Sequence, residues 1–171
     1  MATTPIPPLA PEAEVELSGG RLVTIRHSAP ADTARVVVFL ASPGTRHLCS
    51  EPGAAGDCTR CRGGASEVAL PDLLAIMPEG DVLAAGWMLP PAAHGPARLA
   101  MAVHAGYLHG EIPAAVFRSL GAEAARHGYD RFTTCVTSLR GEPFEEFRAA
   151  GLRVESSFSL GGVTEVELSI E

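Results

Sequence analysis

The 171-residue chain has no lysine, no asparagine and no glutamine, so all 13 of its basic residues are arginine. Without a lysine there is no side-chain amine for acetylation or methylation. Clustered cations are missing as well. The arginines are mostly scattered singly against 20 acidic residues, for a net charge of −7, and this argues against nucleic acid, whose phosphates need grouped positive charge. No uninterrupted apolar stretch approaches the length of a membrane span. Residues 1–12, rich in Pro, Thr and Ala, lack the basic and apolar regions of a secretory signal, so a flexible tail on a cytoplasmic protein is expected. What remains is a chain that is 46% hydrophobic with mean hydropathy +0.16, enough for the core of a single domain.

Turn chemistry divides that domain, residues 13–171. Ser18-Gly19-Gly20 sits between segments 14–17 and 21–26 and reads as a hairpin turn, because paired glycines supply positive φ. Residues 31–41 carry a helical stripe of Ala34, Val37, Val38 and Ala41; the β-branched residues Val36, Val37 and Val38 keep a strand in play. A second hairpin is expected from strands 72–77 and 82–89 around Pro78-Glu79-Gly80-Asp81. A turn over 90–96 leads to a strand over 98–103. There follow a helix over 112–127 ended by Gly128, a strand over 131–137, and a short helix over 143–150. Strands over 152–157 and 163–170 meet at Leu160-Gly161-Gly162. Strands, helix, meander, helix, strand, helix and hairpin imply an α+β fold around one sheet. Trp87, Met77, Met88 and Met101 read as core. Glu142, Glu145 and Glu146 read as a solvated helix start that suits the dipole.

Residues 42–66 differ in character. Gly, Pro, Ser and charged residues dominate, and three of the four cysteines fall here, so an irregular Cys-rich insertion is expected. His47, Cys49, Cys58 and Cys61 have the donor types and spacing of a closed tetrahedral zinc site, and zinc would supply order that composition does not. Free or redox-active thiols, an oxidised Cys58–Cys61 pair and an iron–sulfur centre stay open beside that reading. Cys135, on a strand, reads as a small buried apolar residue.

The strand 99–103 runs into Tyr107-Leu108-His109-Gly110-Glu111-Ile112-Pro113, which opens the long helix. Strand, loop and helix N-terminus together form a common kind of anion site. This order, with the tail RFTTCVTS…EPFEEFRAAGLRVESSFSLGGVTEVELSIE, resembles the GNAT superfamily of acyl-CoA-dependent N-acetyltransferases, in particular the bacterial Pat-type protein acetyltransferases. The likeness covers 21–41 and 72–171 and implies a GNAT fold, a central mixed and mostly antiparallel sheet flanked by helices. It also implies that Met101 and Val103 offer backbone groups to the pantetheine of acetyl-CoA, and that His109, Gly110 and Ile112 lie at its pyrophosphate.

Several residues depart from the family pattern. The key positions of the Gln/Arg-x-x-Gly-x-Gly/Ala loop become Leu108, Glu111 and Pro113; Pro113 has no N–H, and Glu111 brings a carboxylate toward the phosphate position. The glutamate base of Pat-type enzymes matches Arg98, which stays protonated. A common asparagine matches Arg140, and Phe147 falls where many relatives place a tyrosine acid. His104 and His109 flank the loop, as bases or as plain exposed histidines, and no residue is assigned a catalytic role. The expectation is a GNAT-fold protein with lost or much reduced acetyl-CoA binding, acting as a zinc-stabilised binding or regulatory module. Its partner would be a protein or a small ligand other than CoA. The alternative is an active N-acetyltransferase acting on an amine of a small molecule or protein.

Overall fold

The computed structural model describes residues 12–50, 70–89, 95–137, 144–160 and 163–171. The turn at Gly19 and Gly20, with φ of 108° and 78°, joins β1 (Glu12–Glu16) to β2 (Leu22–His27) in the expected hairpin. After a 3-10 turn, Pro30–Asp32, comes α1 (Thr33–Ala41), so the helical reading of this segment holds and the strand does not. The face is not the expected one. Val36 and Phe39 point into the core, while Val38 is 70% exposed; the i, i+3 pair with the larger apolar area takes the sheet.

Next come β3 (Thr45–Ser50), β4 (Leu73–Ile76) and β5 (Val82–Leu89), the last two joined through Gly80 at φ 100°. β6 (Ala97–His104) leads through a 3-10 turn, Ala105–Tyr107, to α2 (Glu111–Arg126). β7 (Arg131–Thr137), α3 (Phe144–Ala149), β8 (Leu152–Leu160) and β9 (Val163–Ile170) complete the chain. The sheet runs β1-β2-β4-β5-β6-β3-β7-β9-β8, and among the described residues every pairing is antiparallel except a short parallel contact between β6 and β7. The fold is therefore α+β with a mixed, mostly antiparallel sheet, as the element order implied.

Both faces of the sheet are covered, which is why β5, Val-Leu-Ala-Ala-Gly-Trp-Met-Leu, is apolar throughout instead of alternating. Trp87 and Leu89 pack with Val36 and Phe39 on one side, and Leu99, Phe117, Leu120 and Phe147 build the larger core on the other.

The start of α1 is fixed by charge. Asp32, 3% exposed, accepts hydrogen bonds from both Arg26 Nη atoms at 2.8 Å and from the Ala29 N–H at 2.8 Å. The Arg26 bonds, partly offset by burial and reinforced by the Ala29 N–H, hold its carboxyl at about 2 against an ordinary 3.8. On acidification the unfolded chain takes up this proton first, so the stabilisation is complete above pH 3.8 and is lost as pH falls toward about 2. Asp32→Asn is expected to cost about 1–2 kcal/mol near neutral pH, since Arg26 is partly solvated. In urea unfolding the gap between variant and parent should close on going from pH 5 to pH 2; a gap independent of pH would contradict this account.

Candidate functional site

β6 and β7 begin side by side and then part. Ala97 and Arg98 register with Phe132 and Thr133 in parallel, and the buried Thr134 hydroxyl donates to the Leu99 carbonyl at 2.9 Å. Beyond Leu99 the strands fork. Backbone groups alternate sides along a strand, so Met101 and Val103 turn theirs to the same edge as Leu99, into the fork. Their side chains are fully buried. These are two of the residues expected to pair with a pantetheine arm.

The fork holds β3. Thr45, Arg46 and His47 register antiparallel with His104, Val103 and Ala102; the ladder then slips and resumes at Cys49 opposite Met101. On the other side Cys49 and Ser50 register with Val136 and Cys135. At the mouth the Ala105 N–H donates to the Gly44 carbonyl at 2.7 Å. This corrects the expectation of an irregular insertion from residue 42: its first part is a strand. Local composition argued against one, but two facing sheet edges supply the hydrogen-bonding partners that composition does not count.

The expected metal site is only half within the described residues. His47 and Cys49 lie on β3, whereas Cys58 and Cys61 fall outside the described residues. Among the described residues no group of three or more metal-ligating side chains comes together. Arg140, Glu142, most of the 1–12 tail and the Gly161-Gly162 turn also fall outside them.

Beyond the mouth of the fork, after the 3-10 turn Ala105–Tyr107, comes the N-terminus of α2. Gly110 caps it at φ 99°, a backbone conformation that needs glycine, and its N–H donates to Glu146 Oε1 at 3.2 Å. His109, 63% exposed at its side chain, places Nδ1 3.3 Å from the same oxygen. Glu111 occupies the first turn, where the helix dipole favours an anion, and Ile112 is buried in the core. Pro113, in the same turn, has no N–H to offer.

Glu146 corrects a second expectation. It is 8% exposed, not solvated, because α3 packs against α2 and turns the carboxylate onto Gly110. The partners are 36 residues apart, so no local pattern could have paired them. A cavity of about 750 Å³ beside them is lined by Glu14, Glu16, Glu111, Glu145 and Glu146. The Arg118 guanidinium on its wall is turned to the Ala149 carbonyl at 2.5 Å. A pyrophosphate brought here would meet carboxylates, and like charges at ~4 Å repel by about 1 kcal/mol in water and by more away from it.

Groups for proton transfer are equally scarce. His104 Nδ1 accepts the Gly106 N–H at 3.1 Å and serves the 3-10 turn, with the ring set edge-on to Tyr107. Burial, with Glu165 adding to it and Arg98 opposing, pushes the Cys135 thiol up to about 11, so it stays protonated and unreactive. Phe147 is fully buried, with its ring against Phe117.

A forked sheet with a helix N-terminus at the fork is the GNAT fold, and the chain has that fold. It is similar to the GNAT domain of PAT from S. lividans, with TM-score 0.67 and 22% identity over 95% of this chain and 99% of that one. It is also similar to a GNAT-family acetyltransferase from Streptococcus pneumoniae, with TM-score 0.60 and 16% identity over 87% and 99%. A third likeness is to a ribosomal-protein-S5-alanine acetyltransferase from Vibrio fischeri, with TM-score 0.56 and 10% identity over 92% and 95%. No family model matches the sequence, and no curated protein does. Among the described residues no helix is long and apolar enough to cross a membrane.

Proposed function

We propose that this GNAT-fold domain no longer takes acetyl-CoA and works as a binding or regulatory module. One observation carries the reading: β3 lies between β6 and β7, paired with the backbone edge that a pantetheine arm would need. The helix start supports it, because the Gly110 N–H is already committed to Glu146, Pro113 has none, and Glu111 adds charge of the wrong sign. The residues present therefore do not fit a CoA pyrophosphate, and no transfer chemistry is derived through one. Zinc on His47, Cys49, Cys58 and Cys61 belongs to the same proposal, as a clip holding the chain that leaves β3.

Isothermal titration of the full chain with acetyl-CoA tests the first part. Binding weaker than about 1 mM, a free energy smaller than about 4 kcal/mol, is expected. Micromolar affinity with acetyl transfer to any amine would sink the reading in favour of an active N-acetyltransferase. The same protein, purified without chelator, should carry about one equivalent of zinc; a preparation without metal removes zinc from the proposal and leaves the rest.

A further inference from the structure

At the end of the sheet where β6 finishes, a second opening lies between β5 and β6. Their pairing begins at Ala84 opposite Val103. Beyond that pair the strands follow different neighbours, since Val82 registers with Ile76 on β4 and His104 with Thr45 on β3. α1 and Tyr107 flank the opening, and a cavity of about 630 Å³ results, within the roughly 300–1,000 Å³ of pockets that hold small molecules. Its apolar wall is Phe39, Val82 and Leu83, extended by Val38. α1 carries one charged residue in nine and is apolar nearly all round, as buried helices are, yet Val38 is 70% exposed. The polar lining has both signs. Arg21 and His104 stand against Glu79 and Asp81 of the β4–β5 turn. Because His104 Nδ1 accepts the Gly106 N–H, the proton of the neutral ring sits on Nε2, which is a donor. Arg35, also at the cavity, is paired with Asp32 at 3.5 Å, whereas among the described residues Arg21, Glu79 and Asp81 are in no ion pair.

We propose that this cavity is a binding site for a small zwitterion with an apolar body, the chemistry of a free amino acid such as phenylalanine or leucine. The ligand's carboxylate goes to Arg21 and His104, its ammonium to Glu79 and Asp81, and its side chain to Val38, Phe39 and Val82. A carboxylate alone would meet the carboxylates of the turn, and an amine alone would meet Arg21, so either leaves charge of one sign uncompensated. A ligand carrying both signs satisfies the lining. The apolar body is needed as well, because covering Val38 and the wall beside it removes apolar surface from water. β6 lies between this cavity and the fork, so the proposal goes beyond the reading of the fork and does not depend on it.

The full chain, titrated with L-phenylalanine and with L-leucine by isothermal calorimetry, should bind them more tightly than about 1 mM. Trp87, the chain's single tryptophan, packs with Phe39 and Val82 behind the apolar wall, so its fluorescence should change over the same titration. Phenylpropionate lacks the ammonium, phenethylamine lacks the carboxylate, and glycine lacks the body; each should bind at least about ten-fold more weakly than phenylalanine. Arg21 and Val38 are exposed, so substitutions there leave the core intact. Arg21→Gln should weaken phenylalanine about ten-fold and remove its advantage over phenethylamine, a change in selectivity that a general loss of structure would not give. Val38→Asp should weaken phenylalanine and phenethylamine alike. No binding of either amino acid at roughly 5 mM overturns the proposal. So does phenylpropionate binding as tightly as phenylalanine, and so does phenylalanine binding that neither variant alters.

Discussion

Gly86→Val is expected to destabilise the domain by about 3 kcal/mol or more, a large part of the margin a domain of this size holds. A Cβ at residue 86 would lie 2.8 Å from Leu120 Cδ1, 3.0 Å from Val116 Cγ1 and 3.2 Å from Leu120 Cγ. Val116 and Leu120 are fully buried and one turn apart on the face of α2 that meets the sheet. The strand cannot yield either. Gly86 is registered with Leu73 on β4 and with Met101 on β6, and its carbonyl accepts the Asp72 N–H at 2.9 Å. Its φ is not positive, so glycine is needed here for space and not for backbone freedom. Urea unfolding of Gly86→Val in the parent and in a Leu120→Ala background is the decisive cycle. The substitution should cost clearly less where Leu120 has been cut back. Equal costs in both backgrounds would show that the clash is not with α2.

That close approach bears on the site, because α2 delivers Gly110 and Glu111 to the fork. A helix that rode higher on β5 would separate Gly110 from Glu146, which α3 holds by its own packing. The fork, the helix start and the carboxylate are thus set by apolar contacts well away from them.

What was legible in the sequence was local. Gly19, Gly20 and Gly80 marked the two hairpins because positive φ has few other sources, and β7 falls on the expected 131–137. The long helix differs by one residue at either end, where capping geometry and not apolar period decides. The exposed face of α1 was misjudged because a stripe of small residues competed with one containing Phe39. β3 and Glu146 were missed for a different reason. A strand rich in polar residues is made by the edges of β6 and β7, which lie some 50 to 90 positions further along the chain. The burial of Glu146 is made by α2 in the same way. The carboxylate and the missing N–H at the start of α2 were legible because Glu111 and Pro113 act through their own chemistry; the strand in the fork was not.

Phe147→Ala should cost about 3–5 kcal/mol, the range for emptying a buried aromatic site. Phe147 is fully buried and meets Phe117 edge-on, with ring centroids 4.7 Å apart and planes at 65°. Such a pair adds to the burial term. α3 has only six residues and is too short to hold together on helix propensity, so this ring and its neighbours are what keep it on α2. Glu146 precedes Phe147 in the chain. With the ring gone, the carboxylate should leave the Gly110 N–H, and amide exchange at Gly110 should speed up more than exchange at Gly86, which lies on the central strands. Phe147→Tyr separates the ring from the chemistry. Its hydroxyl would enter the apolar core without a partner and cost about 1–3 kcal/mol, without creating an acid in the fork. A Phe147→Ala variant as stable as the parent, or one that leaves Gly110 exchange unchanged, would show that α3 is held by something other than this contact.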